Sequence, residues 1–134
     1  MNEHREMTVE TFDPQVCKWS HMALLPSQRM GAAAAATAGA IYVVGGHDGV
    51  QPVAWAERLM PDGLDGGWRE VAAAPTARHG CAAVGAGGKL YVVGGDDAHS
   101  MVAVERYDPA LKLWQVLPPM PTGRFGCAAA AARQ

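Results

Sequence analysis

The chain has 134 residues, and its 11 lysines and arginines against 13 aspartates and glutamates give a formal net charge of −2. That length corresponds to one small domain, and a content of 49% hydrophobic and 18% charged residues is typical of a globular protein. We expect neither nucleic acid nor a membrane surface as a partner, because both select clustered lysines and arginines.

The N-terminal residues and the cysteines indicate a cytoplasmic or nuclear protein. Residues 1–7 are polar and of mixed charge, unlike a secretory signal. No stretch approaches the roughly 18 apolar residues that a membrane-spanning helix needs. The three cysteines are an odd number without a C-x-x-C spacing, which argues against a disulfide framework and against a zinc module.

Residues 1–28 predict the last two strands of a unit that recurs further along the chain. The phrase Val9–Pro14 (VETFDP) returns as Val104–Pro109 (VERYDP), and a tryptophan follows each phrase, at Trp19 and Trp114. Asp-Pro opens turns, so we expect the first of the two strands to end there.

Residues 29–77 and 78–123 predict two complete copies of the same unit. The segment Gly31–Gly46 aligns with Gly80–Gly95 at a displacement of 49 residues. We predict four short strands in each copy, since apolar runs such as Leu90–Val93 are bounded by glycines or prolines. Residues 124–134 predict the first strand of a further unit, which brings the total to eleven strands.

Two segments depart from the simplest pattern. The alanine-rich Gly31–Ala40 would favour a helix on propensity alone. Its aligned partner Gly80–Gly88 contains four glycines, so we predict a strand whose small side chains lie tightly between neighbouring sheets. The middle copy has Leu59-Met60-Pro61 in place of Tyr-Asp-Pro, which predicts an irregular end to its third strand.

The repeated unit carries a Gly-Gly pair, a following glutamate, a spaced tyrosine and tryptophan, and a closing turn with proline and Arg-x-Gly. With these elements it resembles the kelch repeat, whose family fold is a β-propeller built from four-stranded antiparallel blades. The resemblance extends from Thr8 to Ala132 and is closest to the kelch-like proteins with BTB, BACK and kelch domains. It implies an all-β propeller segment of two complete blades with a partial blade at each end.

The most regular positions of the repeat are expected to be structural. The glycine pairs match no phosphate-binding fingerprint, the tryptophans are expected to pack between blades, and the arginines are expected to form ion pairs with the glutamates. The alternative for the arginines is that some of them bind an acidic peptide. These positions are Gly45, Gly46, Gly94, Gly95, Tyr42, Tyr91, Trp19, Trp68, Trp114, Arg29, Arg78, Arg124, Glu10, Glu57 and Glu105.

Partner-binding residues are expected at positions that differ between the copies of the repeat. These positions are in the loops after the glycine pairs and between the arginine and glycine of each Arg-x-Gly. Trp55 lies outside the repeat pattern and is either an interface anchor or a cover for the outer edge of its blade. The candidates are His47, Asp48, Gln51, Trp55, His79, Asp96, Asp97, His99, Ser100 and Phe125.

No catalytic residue, cofactor or metal site is predicted. The five histidines show neither an H-x-x-x-H nor an H-E-x-x-H spacing. Cys81 and Cys127 occupy equivalent positions and are expected to be small buried residues, whereas Cys17 has no repeat equivalent and is expected to be more exposed.

These observations favour a non-enzymatic module of protein–protein interaction. The family resemblance implies either the substrate-recognition part of a cullin-RING ubiquitin ligase adaptor or an actin-binding propeller, although no BTB or BACK domain accompanies the repeats. The alternatives are a kelch-propeller enzyme of the copper oxidase or sugar isomerase type, and a fragment without independent function. The expected partners are a protein or peptide together with the remaining blades of a longer propeller, or a second copy of the chain.

Overall fold

The computed structural model describes residues 8–22, 24–26, 29–60, 67–96 and 101–132, and the strands within them form three antiparallel sheets. Strands β1 and β2 form an N-terminal hairpin, β3 to β6 form the central sheet, and β7 to β10 form the last sheet, each in chain order. The strands are β1 (Val9–Asp13), β2 (Lys18–Met22), β3 (Ala33–Thr37), β4 (Ala40–Val44), β5 (Ala56–Leu59), β6 (Trp68–Val71), β7 (Ala82–Ala86), β8 (Lys89–Val93), β9 (Val104–Asp108) and β10 (Leu113–Leu117).

The alanine-rich segment forms strand β3, as predicted. It pairs with β4 from Ala33 opposite Val44 to Thr37 opposite Ala40. Its small side chains let β7 of the last sheet approach closely, and a Cβ atom added at Gly85 would lie 2.1 Å from the carbonyl oxygen of Ala36. Tertiary packing therefore overrides the helix propensity of alanine here.

The core lies between the central sheet and the last sheet. Val44 of the central sheet and Leu90 and Val92 of the last sheet are at most 1% exposed. The rings of Tyr42 and Tyr107 meet across the interface with their centroids 6.0 Å apart. Such face-to-face stacking of four-stranded sheets is how a propeller buries its blades.

The predicted eleventh strand is absent, because the described residues 124–132 contain only one isolated bridge, between Arg124 and Met101. The Gly126 amide donates a hydrogen bond to the Gly80 carbonyl at 2.7 Å, and the chain continues without strand pairing. A strand needs a hydrogen-bonded neighbour along its length, and none of the described strands pairs with this segment.

The third strand of the middle copy is shorter than its counterpart in the next copy. Strand β5 has 4 residues and ends at Leu59, whereas β9 has 5 and ends at Asp108. The remainder of that connection, residues 61–66, lies outside the described residues.

The β3–β4 turn offers a test of backbone strain. Ala38 has a φ of +52°, in the left-handed region that favours glycine, and Gly87 occupies the same position between β7 and β8 with a φ of +57°. We expect Ala38→Gly to raise the free energy of unfolding by about 0.5 kcal/mol, since the relief of strain exceeds the added entropy of the unfolded chain. Gly87→Ala should lower it by a similar or larger amount. Urea unfolding midpoints measure both, and a lower midpoint for Ala38→Gly would contradict the expectation.

Candidate functional site

The candidate site is one end of the two four-stranded sheets, which we call the loop face. It contains the described parts of the connections that follow the two glycine pairs, residues 45–55, 94–96 and 101–103, and the segment 72–81 that joins β6 to β7. Residues 124–126 belong to it as well, since they are hydrogen-bonded to Gly80 and Gly95. Backbone bridges fasten these segments together, with Met30 opposite His47 and His79 opposite Asp96. The turns that join β3 to β4 and β9 to β10 lie at the opposite end of the sheets.

The glycine pairs allow neighbouring segments to approach. Gly45 has a φ of +72°, and a Cβ atom there would lie 2.5 Å from the carbonyl oxygen of Arg78. The amide of Gly46 donates to that carbonyl at 2.8 Å, and the amide of Gly95 donates to the Arg124 carbonyl at 2.7 Å. These contacts fix the backbone beneath the loop face.

Arg29 and Arg78 form buried ion pairs with Glu57 and Glu105 under this face. None of the four residues is more than 6% exposed. The Arg78 guanidinium also donates to the Gly94 carbonyl at 2.7 Å. Burial lowers the pKa of Arg29 and raises the pKa of Glu57, although each charge partly opposes the shift of the other. These guanidinium groups stabilise the fold and are not accessible to an acidic peptide.

Arg124 and Glu10 differ from the other arginines and glutamates of the repeat. Both are exposed, and within the described residues neither forms the ion pair that the repeat pattern predicts. The reason is their position in the repeat. In each buried pair, the arginine lies just before the first strand of a sheet and the glutamate lies on the third strand of that same sheet. Arg124 and Glu10 belong to two different incomplete units.

The repeat tryptophans have different surroundings. The indole Nε1 of Trp114 donates to the Ala72 carbonyl at 2.8 Å, which is the packing between sheets that the sequence predicts. Trp68 is half-buried at the start of β6. Trp19 is 68% exposed, and the one ring contact that it makes within the described residues is with Phe12, with centroids 5.2 Å apart. The expectation of packing between blades is therefore wrong for this residue.

The loop after the first glycine pair is held by its own side chains. Asp48 Oδ1 accepts hydrogen bonds from the amides of Val50 and Gln51 at 2.8 and 2.9 Å, and these bonds lower the pKa of Asp48. His47 Nδ1 accepts a hydrogen bond from the Gly49 amide at 3.0 Å, which leaves Nε2 to carry the proton of the neutral ring. The loop therefore has a defined shape before any partner binds.

His79 and Asp96 form the centre of the loop face. They are paired through their backbones, and the ring of His79 meets that of His47 edge to face with centroids 5.2 Å apart. His79 Nδ1 and Asp96 Oδ1 are buried and have no hydrogen-bond partner within the part of the chain that the structure describes. Leaving a buried polar atom unpaired costs about 1–3 kcal/mol, so these two atoms favour a hydrogen-bonding partner at the loop face.

The loop face also carries exposed apolar side chains. Trp55 is 42% exposed and Phe125 is 62% exposed. Met30, His79 and Phe125 occupy the same repeat position between an arginine and a glycine, so the variable residues of the repeat emerge on this face. Gln51 is exposed as well. The remaining candidates, Asp97, His99 and Ser100, lie outside the described residues.

A groove between two of the sheets was missed by the sequence analysis. It has a volume of about 460 Å³ and lies between the central and last sheets, lined by Tyr42, Arg58, Arg69 and Lys112 among others. Arg58 lies directly opposite Arg69, whereas in the last sheet the corresponding Arg106 lies opposite Gln115. Aligning the third and fourth strands of the two copies would have revealed this substitution.

The cysteines largely match expectation, with one correction. Cys81 is buried and burial raises the pKa of its thiol, Cys127 is half-buried, and Cys17 is exposed. Cys17 does have an equivalent position in the repeat, which is that of Lys112. The amide of Cys17 donates to the Asp13 carbonyl and the amide of Lys112 donates to the Asp108 carbonyl, both at 2.7 Å. Within the described residues, no group of three or more His, Cys, Asp or Glu side chains is arranged to hold a metal ion.

Comparisons with known proteins identify the repeat. The family model of the kelch motif matches residues 28–63 and 77–121. The chain belongs to the kelch-repeat family. No curated protein matches it. Among solved structures, that of a protein named YjhT is similar with a TM-score of 0.76 and 16% identity, over 92% of this chain and 42% of that one. This kelch chain is thus a partial β-propeller that spans less than half the length of that relative.

Proposed function

We propose that this kelch segment is a non-enzymatic module that binds a protein or peptide through its loop face. The observation that supports the proposal is the exposure of Trp55 and Phe125 on the loop face, which also carries His47, His79 and Asp96 and whose backbone is fixed by the glycine pairs. Aromatic anchors on a rigid support are typical of protein interfaces, because ordering them on binding costs little entropy.

Two finer roles are proposals that rest on the family resemblance. The phrase Val104–Pro109 is similar to that of the kelch-like substrate receptors of cullin-RING ubiquitin ligases, and actin is a second partner that kelch propellers would fit. A cytoplasmic or nuclear location agrees with three cysteines that are all free. Among the described residues, no helix is both long and apolar enough to span a membrane. Co-purification of a cullin with this kelch segment in its native protein would support the ligase role, and its consistent absence would count against it.

Selection of peptides from an unbiased displayed library tests the binding function. Peptides that bind the full chain should bind Trp55→Ala and Phe125→Ala about tenfold more weakly or worse, as fluorescence anisotropy would measure. Leu111→Ala is the matched control, since Leu111 is 67% exposed in the β9–β10 turn at the opposite end. Equal binding to all three variants, or a failure to enrich any peptide, would contradict the proposal.

A further inference from the structure

The N-terminal hairpin repeats, residue for residue, an aromatic arrangement of the last sheet. Phe12 pairs with Trp19 in the register of the hairpin, as Tyr107 pairs with Trp114 between β9 and β10. The ring centroids are 5.2 Å apart at 51° in the hairpin and 5.1 Å apart at 43° in the last sheet.

Only one of the two aromatic pairs is covered. Tyr107 is 2% exposed against Tyr42 of the central sheet, and Trp114 donates to the Ala72 carbonyl of the same neighbour. Phe12 and Trp19 are 43% and 68% exposed. A contiguous exposed pair of large aromatics is costly in water and marks a surface that packs against another.

The last sheet carries a surface that could receive such a pair. Within the chain, Tyr107 and Trp114 pack against the side of the central sheet that carries Tyr42. Tyr91 occupies in the last sheet the position that Tyr42 occupies in the central sheet. The strand register puts Leu113 and Gln115 of β10 on the same side of the last sheet as Tyr91. We call this side the outer face. No further sheet covers it in the described residues, and Leu113 is 62% exposed.

The charges at the two ends are complementary. Arg124 follows the outer face and occupies the repeat position of Arg78, while Glu10 lies in the hairpin at the position of Glu105. Arg78 and Glu105 form a buried ion pair within the last sheet. Each chain therefore carries an exposed arginine at one end and an exposed glutamate at the other, and these are the two halves of that pair.

We propose that copies of this chain associate head to tail, with the hairpin of one copy packed on the outer face of the next. Phe12 and Trp19 then occupy the place that Tyr107 and Trp114 occupy within the chain, and Glu10 of one copy pairs with Arg124 of the other. A second copy is the occupant that fits because each chain carries both complementary surfaces. Such a heterologous interface generates a ring if the rotation closes and an open chain otherwise. The inference does not depend on what the loop face binds.

Sedimentation velocity of the full chain over a range of concentrations tests this association. We expect a sedimentation coefficient that rises with concentration, and a dissociation constant at least about tenfold weaker for Phe12→Ala and Trp19→Ala. Trp55→Ala is the matched control, because its exposure of 42% is close to that of Phe12 and it lies on neither surface. A chain that stays monomeric, or association that Trp19→Ala leaves unchanged, would overturn the proposal.

Charge reversal identifies the orientation of the contact. Arg124→Glu and Glu10→Arg should each weaken self-association, and the double variant should restore it because the pair is reversed rather than removed. Mixing the two single variants should restore association in alternating chains, because position 10 of each variant then meets a position 124 of opposite charge on the other variant. Failure of the double variant to recover association would exclude the Glu10–Arg124 contact. Because both residues are exposed, circular dichroism should show unchanged folding in every variant.

Discussion

Gly85→Ala is expected to destabilise the chain by about 3 kcal/mol, because it drives a methyl group into the backbone of the neighbouring sheet. The added Cβ would lie 2.1 Å from the Ala36 carbonyl oxygen and 2.8 Å from the Cβ of Thr37. Neither a backbone carbonyl nor a strand in the middle of a ladder moves cheaply, so the two four-stranded sheets have to separate. Urea-induced unfolding monitored by tryptophan fluorescence measures the loss.

Ala36 supplies the control for this substitution. It occupies in β3 the repeat position that Gly85 occupies in β7, and its side chain is exposed. Ala36→Gly should change the free energy of unfolding by no more than about 1 kcal/mol, the ordinary cost of glycine in a strand. If Gly85→Ala were no more harmful than Ala36→Gly, the close contact between β3 and β7 would not hold the sheets together.

The repeat made most of the fold predictable. The spacings from arginine to the glycine pair and from tryptophan to the next arginine are constant. Constant spacing is typical of strands that pair in a fixed register, so four strands per copy followed from the alignment. The alignment also predicted that Gly31–Ala40 is a strand, since its partner segment Gly80–Gly88 contains four glycines. The missing strand after Arg124 and the exposed Trp19 were not predictable, because a repeat position tells which partner a residue needs and not whether that partner is present.

The candidate site was predictable in position but not in its contacts. Variable residues after the glycine pairs had to emerge on the loop face, and His47, Trp55 and Phe125 do so. The pairing of His79 with Asp96 joins residues 17 positions apart through an isolated bridge, which no periodicity reveals. The groove beside Arg58 and Arg69 was missed for a similar reason, since it forms between two sheets and lies away from the variable loops.

Arg29→Met is expected to lower the free energy of unfolding at neutral pH by about 3–5 kcal/mol, because it leaves a carboxylate buried without a cation. Arg29 contacts Glu57 and donates through Nε to the Gly45 carbonyl at 3.0 Å, and both Arg29 and Glu57 are almost fully buried. The double variant Arg29→Met/Glu57→Leu removes both charges and should be more stable than the single variant. Glu70→Gln, which changes an exposed carboxylate directly opposite Glu57, should have little effect.

The pH dependence of this loss of stability distinguishes two causes, an unpaired buried carboxylate and the loss of side-chain packing. Burial already raises the pKa of Glu57 above its ordinary value, while Arg29 opposes the increase. Without Arg29 the pKa of Glu57 should rise further, and the protonated form costs little to bury. When the pKa of a carboxyl is higher in the folded chain, the free energy of unfolding falls as the pH rises. The fall begins near the pKa of the unfolded chain, about 4.3, and continues through the pKa of the folded chain. The difference between Arg29→Met and the parent chain should therefore shrink as the pH falls toward 4, whereas a loss caused by packing alone would be the same at every pH.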